Sequence, residues 1–595
     1  MEQPTTEPRV EYARRIEARL AEAASLMKRF RQVGIARLGM VAALLLLTWF
    51  VISGLSFWWL LLPVLGYLAL APTQQRLAEQ RRRCERAAAL YQRGLERLED
   101  RWAGTGATGE RFLTDSHPYA RDLDLFGSGS LFELLSCART QVGEETLAEW
   151  LLMPSPPDVV RARQEAVVEL RPRLNLREDL ALLGEGVHTG SEAQALTHWA
   201  AAPPWVISSA IRWGATALAL LAVVTVILWI AGFSWLPFLA ALTAGQVFAF
   251  SLRRRVNEVI EGIAGPGREL GLLTEVLRRL ERESFLSPRL VHLRAALNVD
   301  GQPPSEQIAR LKLLIDLLDS RRNMFFALIS AILLWPLQCA IAIEKWRQKS
   351  GPAVAHWLAA VGELEALSSL ASYSYEHPND PFPELIDGEA RFEGEGLGHP
   401  LLPEARTVRT DLFLSDSPAV LIVSGSNMSG KSTLLRTVGT NTILAHAGAP
   451  VRALRLRLSP LQVGASIRIQ DSLQAGASRF YAEITRLRQI VTLTGGTLPV
   501  LFLLDEILHG TNSHDRRIGA EGVVSGLIQR GAIGLVTTHD LALTRIVEEL
   551  PSQAKNVHFE DHLEAGRMTF DYLLRAGVLQ RSNALELMRS VGLEV

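Results

Sequence analysis

Residues 420–432 read VLIVSGSNMSGKS, and this stretch decides the fold around it. Val420–Ser424 is four aliphatic residues and a serine, the pattern of a buried strand. Gly425–Ser432 has the spacing Gly-x-x-x-x-Gly-Lys-Ser. Its glycines let the backbone turn tightly, so that successive peptide N–H groups point at one spot and a lysine closes it. Thr433–His446 has a helical pattern, which adds the positive end of a helix dipole. Strand, loop and helix in this order make a polyphosphate cradle. The expected fold is therefore an α/β P-loop NTPase domain, with ATP and Mg²⁺ as ligands. Gly425, Ser426, Asn427, Met428, Ser429, Gly430, Lys431, Ser432 and Thr433 are the expected nucleotide-binding residues. Lys431 is expected to reach the β- and γ-phosphates in a catalytic role, and Ser432 to hold the metal.

Two later segments complete that chemistry. Leu501–Glu506 (LFLLDE) is a buried strand ending in two carboxylates, and the end of a parallel strand is where such sheets bind ligands. Asp505 is expected on Mg²⁺. Glu506 is expected to polarise the attacking water. Gly531–Asp540 (GAIGLVTTHD) is a third strand, followed by His539, which can hydrogen-bond the γ-phosphate or its water.

The chain has 595 residues, too many for one compact core. Its 62 basic and 63 acidic side chains give a net charge of −1, so bulk charge supplies no reason to expect a polyanionic partner. Cys84, Cys137 and Cys339 are widely spaced, form no metal pattern and suit a reducing compartment.

Hydropathy is uneven. Leu38–Gln75 and Trp213–Leu252 contain no charged residue over 38 and 40 positions. One span needs about 20 residues. Each run breaks near its middle, at Ser53-Gly54 and Ala231-Gly232, and so reads as a hairpin of two transmembrane helices. Trp49, Trp58, Trp59, Trp229 and Trp235 lie near the breaks, as an interfacial belt would place them. Arginines flank the outer ends: Arg29, Arg31, Arg37, Arg76 and Arg81–Arg83 around the first hairpin, Arg212 and Arg253–Arg255 around the second. The positive-inside rule then puts both ends of both hairpins in the cytoplasm. The expected location is the inner (plasma) membrane, multi-pass, with the ATPase domain cytoplasmic. Asn323–Ile343 is a third uncharged run. A single crossing there would place the ATPase outside the cell, so it reads as one buried soluble helix. No cleavable signal is read: Ala69-Leu70-Ala71 is followed by Pro72 and preceded by too long an apolar run.

The order of segments gives a layout. A cytoplasmic amphipathic helix is expected at 1–34, the first hairpin at 35–73 and a charged helical connector at 74–120. A helical core fills 121–205 and 253–400, the second hairpin 206–252, and the ATPase domain 401–595.

GSNMSGKSTLLRTVG (425–439), DSLQAGASRFYAEI (471–484), LLDEILHGTNSHD (503–515) and TTHDLALT (537–544) together resemble the MutS family of mismatch-repair ATPases. The likeness extends to 122–170, to Gly398-His399-Pro400 and to SNALELMRSVGL (582–593), which is similar to the family's C-terminal dimerisation helices. The resemblance implies a helical MutS core and a homodimer whose ATPase domains pair head to tail. It places Ser478 at the partner's γ-phosphate and Asn512 in the turn facing the interface. ATP would close the dimer and the helical arms would carry that movement. It leaves DNA open as a partner. The family's mismatch reader, with its Phe-x-Glu wedge, has a membrane hairpin in its place here; Phe382-Pro383-Glu384 lies in a proline-rich boundary and is read as coincidence. No basic patch with interleaved aromatics appears. Two outputs therefore stand: a DNA or DNA-repair role, or an ATP-driven motor acting on a membrane or protein partner. A transporter of the ABC type lacks its Leu-Ser-Gly-Gly-Gln signature, and a dead P-loop conflicts with intact Lys431, Ser432, Asp505 and Glu506.

Overall fold

The computed structural model describes residues 7–183, 192–264, 270–297, 301–320, 324–426, 428–468, 479–508, 512–540, 542–564 and 567–578. Helices come first. They are α1 (Pro8–Ile52), α2 (Leu61–Leu98), α3 (Leu131–Leu135), α4 (Gln141–Leu152), α5 (Pro157–Leu170), α6 (Leu174–Leu183) and α7 (Glu192–Ala201). Next are α8 (Ser209–Ile230), α9 (Leu236–Ala264), α10 (Leu270–Arg282), α11 (Pro288–Leu297), α12 (Pro304–Asp319), α13 (Met324–Ile332) and α14 (Trp335–Glu376). The α/β part follows: β1 (Glu384–Leu385), β2 (Phe392–Leu397), β3 (Thr410–Leu414), β4 (Val420–Ser424), α15 (Lys431–Ala447), β5 (Arg455–Leu458) and β6 (Gln462–Ser466). It ends with α16 (Arg479–Leu493), β7 (Val500–Asp505), α17 (Ser513–Ile528), β8 (Ile533–Thr538), α18 (Ile546–Glu549), β9 (Ala554–Glu564) and β10 (Arg567–Ala576).

The larger sheet has the order β10-β9-β4-β8-β7-β6, parallel except for β10. β4, β7 and β8 are buried along nearly all their length, as strands covered on both faces must be. The smaller sheet, β1-β5-β2-β3, is mixed. It moves one expected boundary: β1 and β2 precede residue 401 in sequence but hydrogen-bond to β5 and β3 of the α/β part. The division at 400/401 therefore cuts through a sheet.

The amphipathic helix expected at 1–34 is not separate from the hairpin that follows. α1 runs unbroken for 45 residues, about 68 Å at helical rise. The shift from charged to apolar sequence changes what surrounds the helix, not its hydrogen bonding. α2 likewise passes through the expected 73/74 boundary, with Pro72 inside it. The chain turns at Ser53 and Gly54, whose φ of 113° glycine adopts freely. α1 and α2 then pack antiparallel along their length: Met40 lies against Gly66, Arg37 donates to Gln74, the Tyr12 and Tyr91 rings are 5.4 Å apart, and Arg9 pairs with Glu99 at 2.7 Å. A Cβ on Gly94 would meet the Tyr12 ring at 2.5 Å, so only glycine permits that approach. α8 and α9 form the second hairpin, with Trp229 stacked on Phe238 at 5.7 Å near the turn. α1, α2, α8 and α9 each contain a stretch long and apolar enough to cross a membrane, and those stretches are mostly exposed.

The third uncharged run is two helices rather than one. Leu334 sits at φ 50° and splits it into α13 and the start of α14. Pro336 lies in the first turn of α14, where its missing N–H costs little.

α14 is the axis of the helical part, 42 residues or about 63 Å. Near its start, Glu344 accepts the Trp205 N–H (2.9 Å) and the Arg347 guanidinium (2.8 Å), fixing the chain that enters the second hairpin. Further on, Glu365 accepts the Thr140 N–H (3.1 Å) and hydroxyl (2.6 Å) at the cap of α4. At its end, Glu376 takes both arms of Arg97 from α2 (2.7 and 2.5 Å) and the Tyr12 hydroxyl (3.1 Å). Beyond it, Asp380 meets Arg452 of the α/β part at 3.2 Å. α14 thus touches both hairpins, and the residues just after it reach the α/β part.

Candidate functional site

The loop 425–430 lies at the C-terminal end of β4, between β8 and β9. Register brings the other two segments to it: Ser424 is opposite Thr538 on β8, and Asp505 of β7 is opposite Thr537. Three segments far apart in sequence therefore end side by side at the C-terminal edge of the parallel strands.

Gly430 closes the loop at φ 104°, and a Cβ there would come within 3.1 Å of the Tyr572 ring. Lys431 opens α15 and turns back, donating from Nζ to the carbonyls of Gly425 and Ser426 at 2.8 Å each. Its Nζ is 3.8 Å from Glu506 Oε1. Burial holds the Lys431 ammonium below its usual pKa, while the Glu506 and Asp505 carboxylates oppose that shift. The Ser432 hydroxyl donates to Asp505 Oδ2 at 2.5 Å, and Thr537 Oγ1 donates to the other Asp505 oxygen. Glu506 stands at φ 49°, in the left-handed region that costs a non-glycine residue, with its N–H held by Thr537. Its Oε1 is 3.3 Å from His539 Nδ1. Asp505, Glu506, His539, Lys431 and Ser432 thus form one connected group.

The group opens on a cavity of about 760 Å³. Ser426, Met428, Gly430, Lys431, Ser432, Thr433 and Glu506 line one side. His399, Thr407, Val408, Phe559 and Tyr572 line the other. Apart from Gly398-His399-Pro400, no motif noted in the sequence marks this second wall. It comes from β9, β10 and the 397–410 segment, which lie beside the loop only once both sheets are formed. Burial pushes His399 down to about 4, which keeps its ring neutral at physiological pH.

The loop fits a polyphosphate. The Ser426 and Ser429 hydroxyls are buried with no hydrogen-bond partner among the described residues. The Lys431 ammonium sits against loop carbonyls that a phosphate oxygen could replace. Ser432 Oγ and Asp505 supply adjacent oxygen donors of the kind Mg²⁺ prefers.

Of the two residues expected to face a second copy of the chain, Asn512 is among the described residues and Ser478 is not. Asn512 caps α17, accepting the Asp515 N–H at 2.9 Å and donating to its carboxylate at 2.7 Å, and it is absent from the cavity wall. Ser478 and the segment 469–478 lie outside the described residues, as do Asn427 and the C-terminal helices expected at 582–593. Next to that segment, Asp122 Oδ1 accepts the N–H groups of Ile467 and Arg468 at 2.7 Å each, and Arg436 of α15 donates to the Asp122 carbonyl at 3.1 Å. The 115–124 segment thereby joins the helical part to the P-loop helix.

Residues 421–594 match MutS domain V. The chain is 34% identical over 204 residues to Endonuclease MutS2 of Thermus thermophilus, covering 34% of this chain and 26% of that protein. It is 34% identical over 254 residues to DNA mismatch repair protein MutS 2 of Halobacterium salinarum (41% and 29%). It is 32% identical over 241 residues to DNA mismatch repair protein MutS of Natronomonas pharaonis (39% and 27%). The chain thus spans between 26% and 29% of the length of these relatives. The geometry at the end of β4 and the match agree on one point: residues 421–594 of this chain form a domain similar to MutS domain V.

Proposed function

We propose that the protein is a membrane-anchored ATPase of MutS type. It binds Mg-ATP at the 425–433 loop and hydrolyses it at a site completed by a second copy of the chain. The connected group Lys431–Glu506–His539 with Ser432–Asp505 carries this reading. Ser426, Ser429 and Lys431 bind and orient the polyphosphate. Ser432 and Asp505 hold Mg²⁺, which when bound offsets charge on the phosphate oxygens. Glu506 accepts the proton of the attacking water. His539, at 3.3 Å, orients the Glu506 carboxylate. Ser478 and Asn512 belong to the interface with the second copy.

The four apolar helices anchor the chain in the plasma membrane, with the ATPase domain on the cytoplasmic side. α14, bound to both hairpins and to Arg452 through Asp380, couples closure of the ATPase dimer to the membrane part. The names of the relatives favour an output on DNA or its repair. The exposed hairpins favour the second output, a motor on a membrane or protein partner.

Lys431→Ala is expected to abolish ATP turnover while leaving expression and membrane insertion unchanged; turnover near wild type would end the reading. Duplex, mismatched and branched DNA titrated onto the detergent-solubilised protein at low salt separates the outputs. Binding that weakens steeply with salt supports the DNA role, and no binding to any of the three leaves the motor.

A further inference from the structure

We infer that α13 is an interfacial helix, lying in the plane of the membrane at its cytoplasmic face and meeting the boundary between headgroups and acyl chains. This rests on the reading of α8–α9 as a transmembrane hairpin.

The orientation follows from three contacts. α12 runs antiparallel to α14: the Trp346 indole donates to the Gln307 carbonyl (2.8 Å), and the Trp335 indole donates to the Leu317 carbonyl (2.6 Å). The end of α12 is therefore level with the start of α14. α13 joins those two ends, and the ring of Phe326, near its start, lies 5.4 Å from that of Trp335. Both ends of α13 sit at one level, so it crosses the tip of the α12–α14 pair instead of continuing along it.

That tip rests on the hairpin. Leu334 lies against Gly245, where an added Cβ would meet its side chain at 3.3 Å, and Gln246 donates to the Ala331 carbonyl at 2.9 Å. Gly214, two residues after Arg212, lies against Phe248, three residues after Gly245, which puts Gly245 about 8 Å inside the level of Arg212 and within the depth of a helix seated at the interface. The backbone gives the Ala331 carbonyl, near the end of α13, a long bond from the Leu334 N–H (3.5 Å), and the Gln246 side chain adds a shorter one that lipid could not supply.

Composition agrees. α13 reads MFFALISAI, without a charge, and Ile329 on it is exposed. Arg321 and Arg322 precede it in sequence, and Arg253–Arg255 follow the hairpin, as anionic headgroups would favour. Trp335 at the corner places an indole where interfacial aromatics collect. The run Asn323–Ile343, long enough to cross, thus lies on the bilayer and returns, leaving both its ends cytoplasmic.

The test is fluorescence quenching in proteoliposomes containing lipids brominated either near the glycerol backbone or near the acyl terminus. A bimane label is placed at Ile329→Cys, at Leu220→Cys on α8, or at Leu454→Cys in the α/β part, in a chain whose native cysteines are replaced. The inference expects Ile329 to be quenched mainly by the shallow bromines, Leu220 to be quenched, and Leu454 not. Quenching at Leu220 with none at Ile329 overturns the inference and leaves the hairpin standing. Stronger quenching of Ile329 by the deep bromines also overturns it, since α13 would then be inserted. Quenching at neither site overturns the membrane reading and the inference with it. If the cysteine-free chain loses ATP turnover, a benzoyl-phenylalanine at position 329 of the otherwise native chain tests the same contact: a crosslink mapped to the glycerol-proximal part of the lipid supports the inference, and a crosslink near the acyl terminus, or none, overturns it.

Discussion

Glu506→Gln is expected to lower ATP turnover by about 10²- to 10⁴-fold, the contribution of a positioned general base. ATP binding should be retained. Glutamine keeps the shape and the contact to His539, which lies 3.3 Å from the carboxylate, but it cannot accept a proton from water. The backbone is consistent with this assignment: Glu506 is held at φ 49° by Thr537, which also holds Asp505, so the proposed base and the proposed metal ligand are set by one strand end. The variant should accumulate as an ATP-bound dimer, seen as a shift in mass on light scattering with Mg-ATP. Turnover within a few-fold of wild type would remove Glu506 from the role of base.

Glu376→Ala should cost about 3–5 kcal/mol of stability, because it leaves the Arg97 guanidinium buried without its counter-charge. Glu376 is 4% exposed and takes Arg97 bidentately at 2.7 and 2.5 Å. Replacing both partners with apolar residues, Arg97→Met with Glu376→Leu, should recover most of the loss, since no unpaired charge remains. Thermal unfolding in detergent reads both. The pair also ties the first hairpin to α14, so the double variant should keep its fold while losing any effect of bilayer composition on ATP turnover. A single variant as stable as wild type would show that this contact does not hold the hairpin.

The sequence was most legible where chemistry constrains it. The cradle at 425–432, the acidic end of β7 and the histidine after β8 follow from residue type and spacing, and sheet register places them together. The turns at Ser53-Gly54 and Ala231-Gly232 were equally readable, because glycine at positive φ marks a reversal. What escaped depended on long-range partners. The second cavity wall needs β9 and β10 folded beside β4. By sequence, β1 and β2 fall with the helical core, at its proline-rich boundary, because Arg457 of β5, their pairing partner, comes 73 residues after Glu384 and 64 after Glu393. The continuity of α1 across residue 34 was hidden by a change in composition that breaks no hydrogen bond. The corner at Leu334 was hidden more thoroughly, since nothing in an apolar run announces a leucine at φ 50°.

The most direct test of a MutS-type ATPase working beneath a membrane is the sidedness of its turnover. Sealed inside-out vesicles carrying the full chain should hydrolyse added Mg-ATP in a Lys431-dependent way. Right-side-out vesicles should do so only after permeabilisation, and alkaline carbonate washing should remove none of the activity. Activity that washes off with carbonate, or that shows equally on both sides of sealed vesicles, would contradict a membrane-anchored, cytoplasmic ATPase.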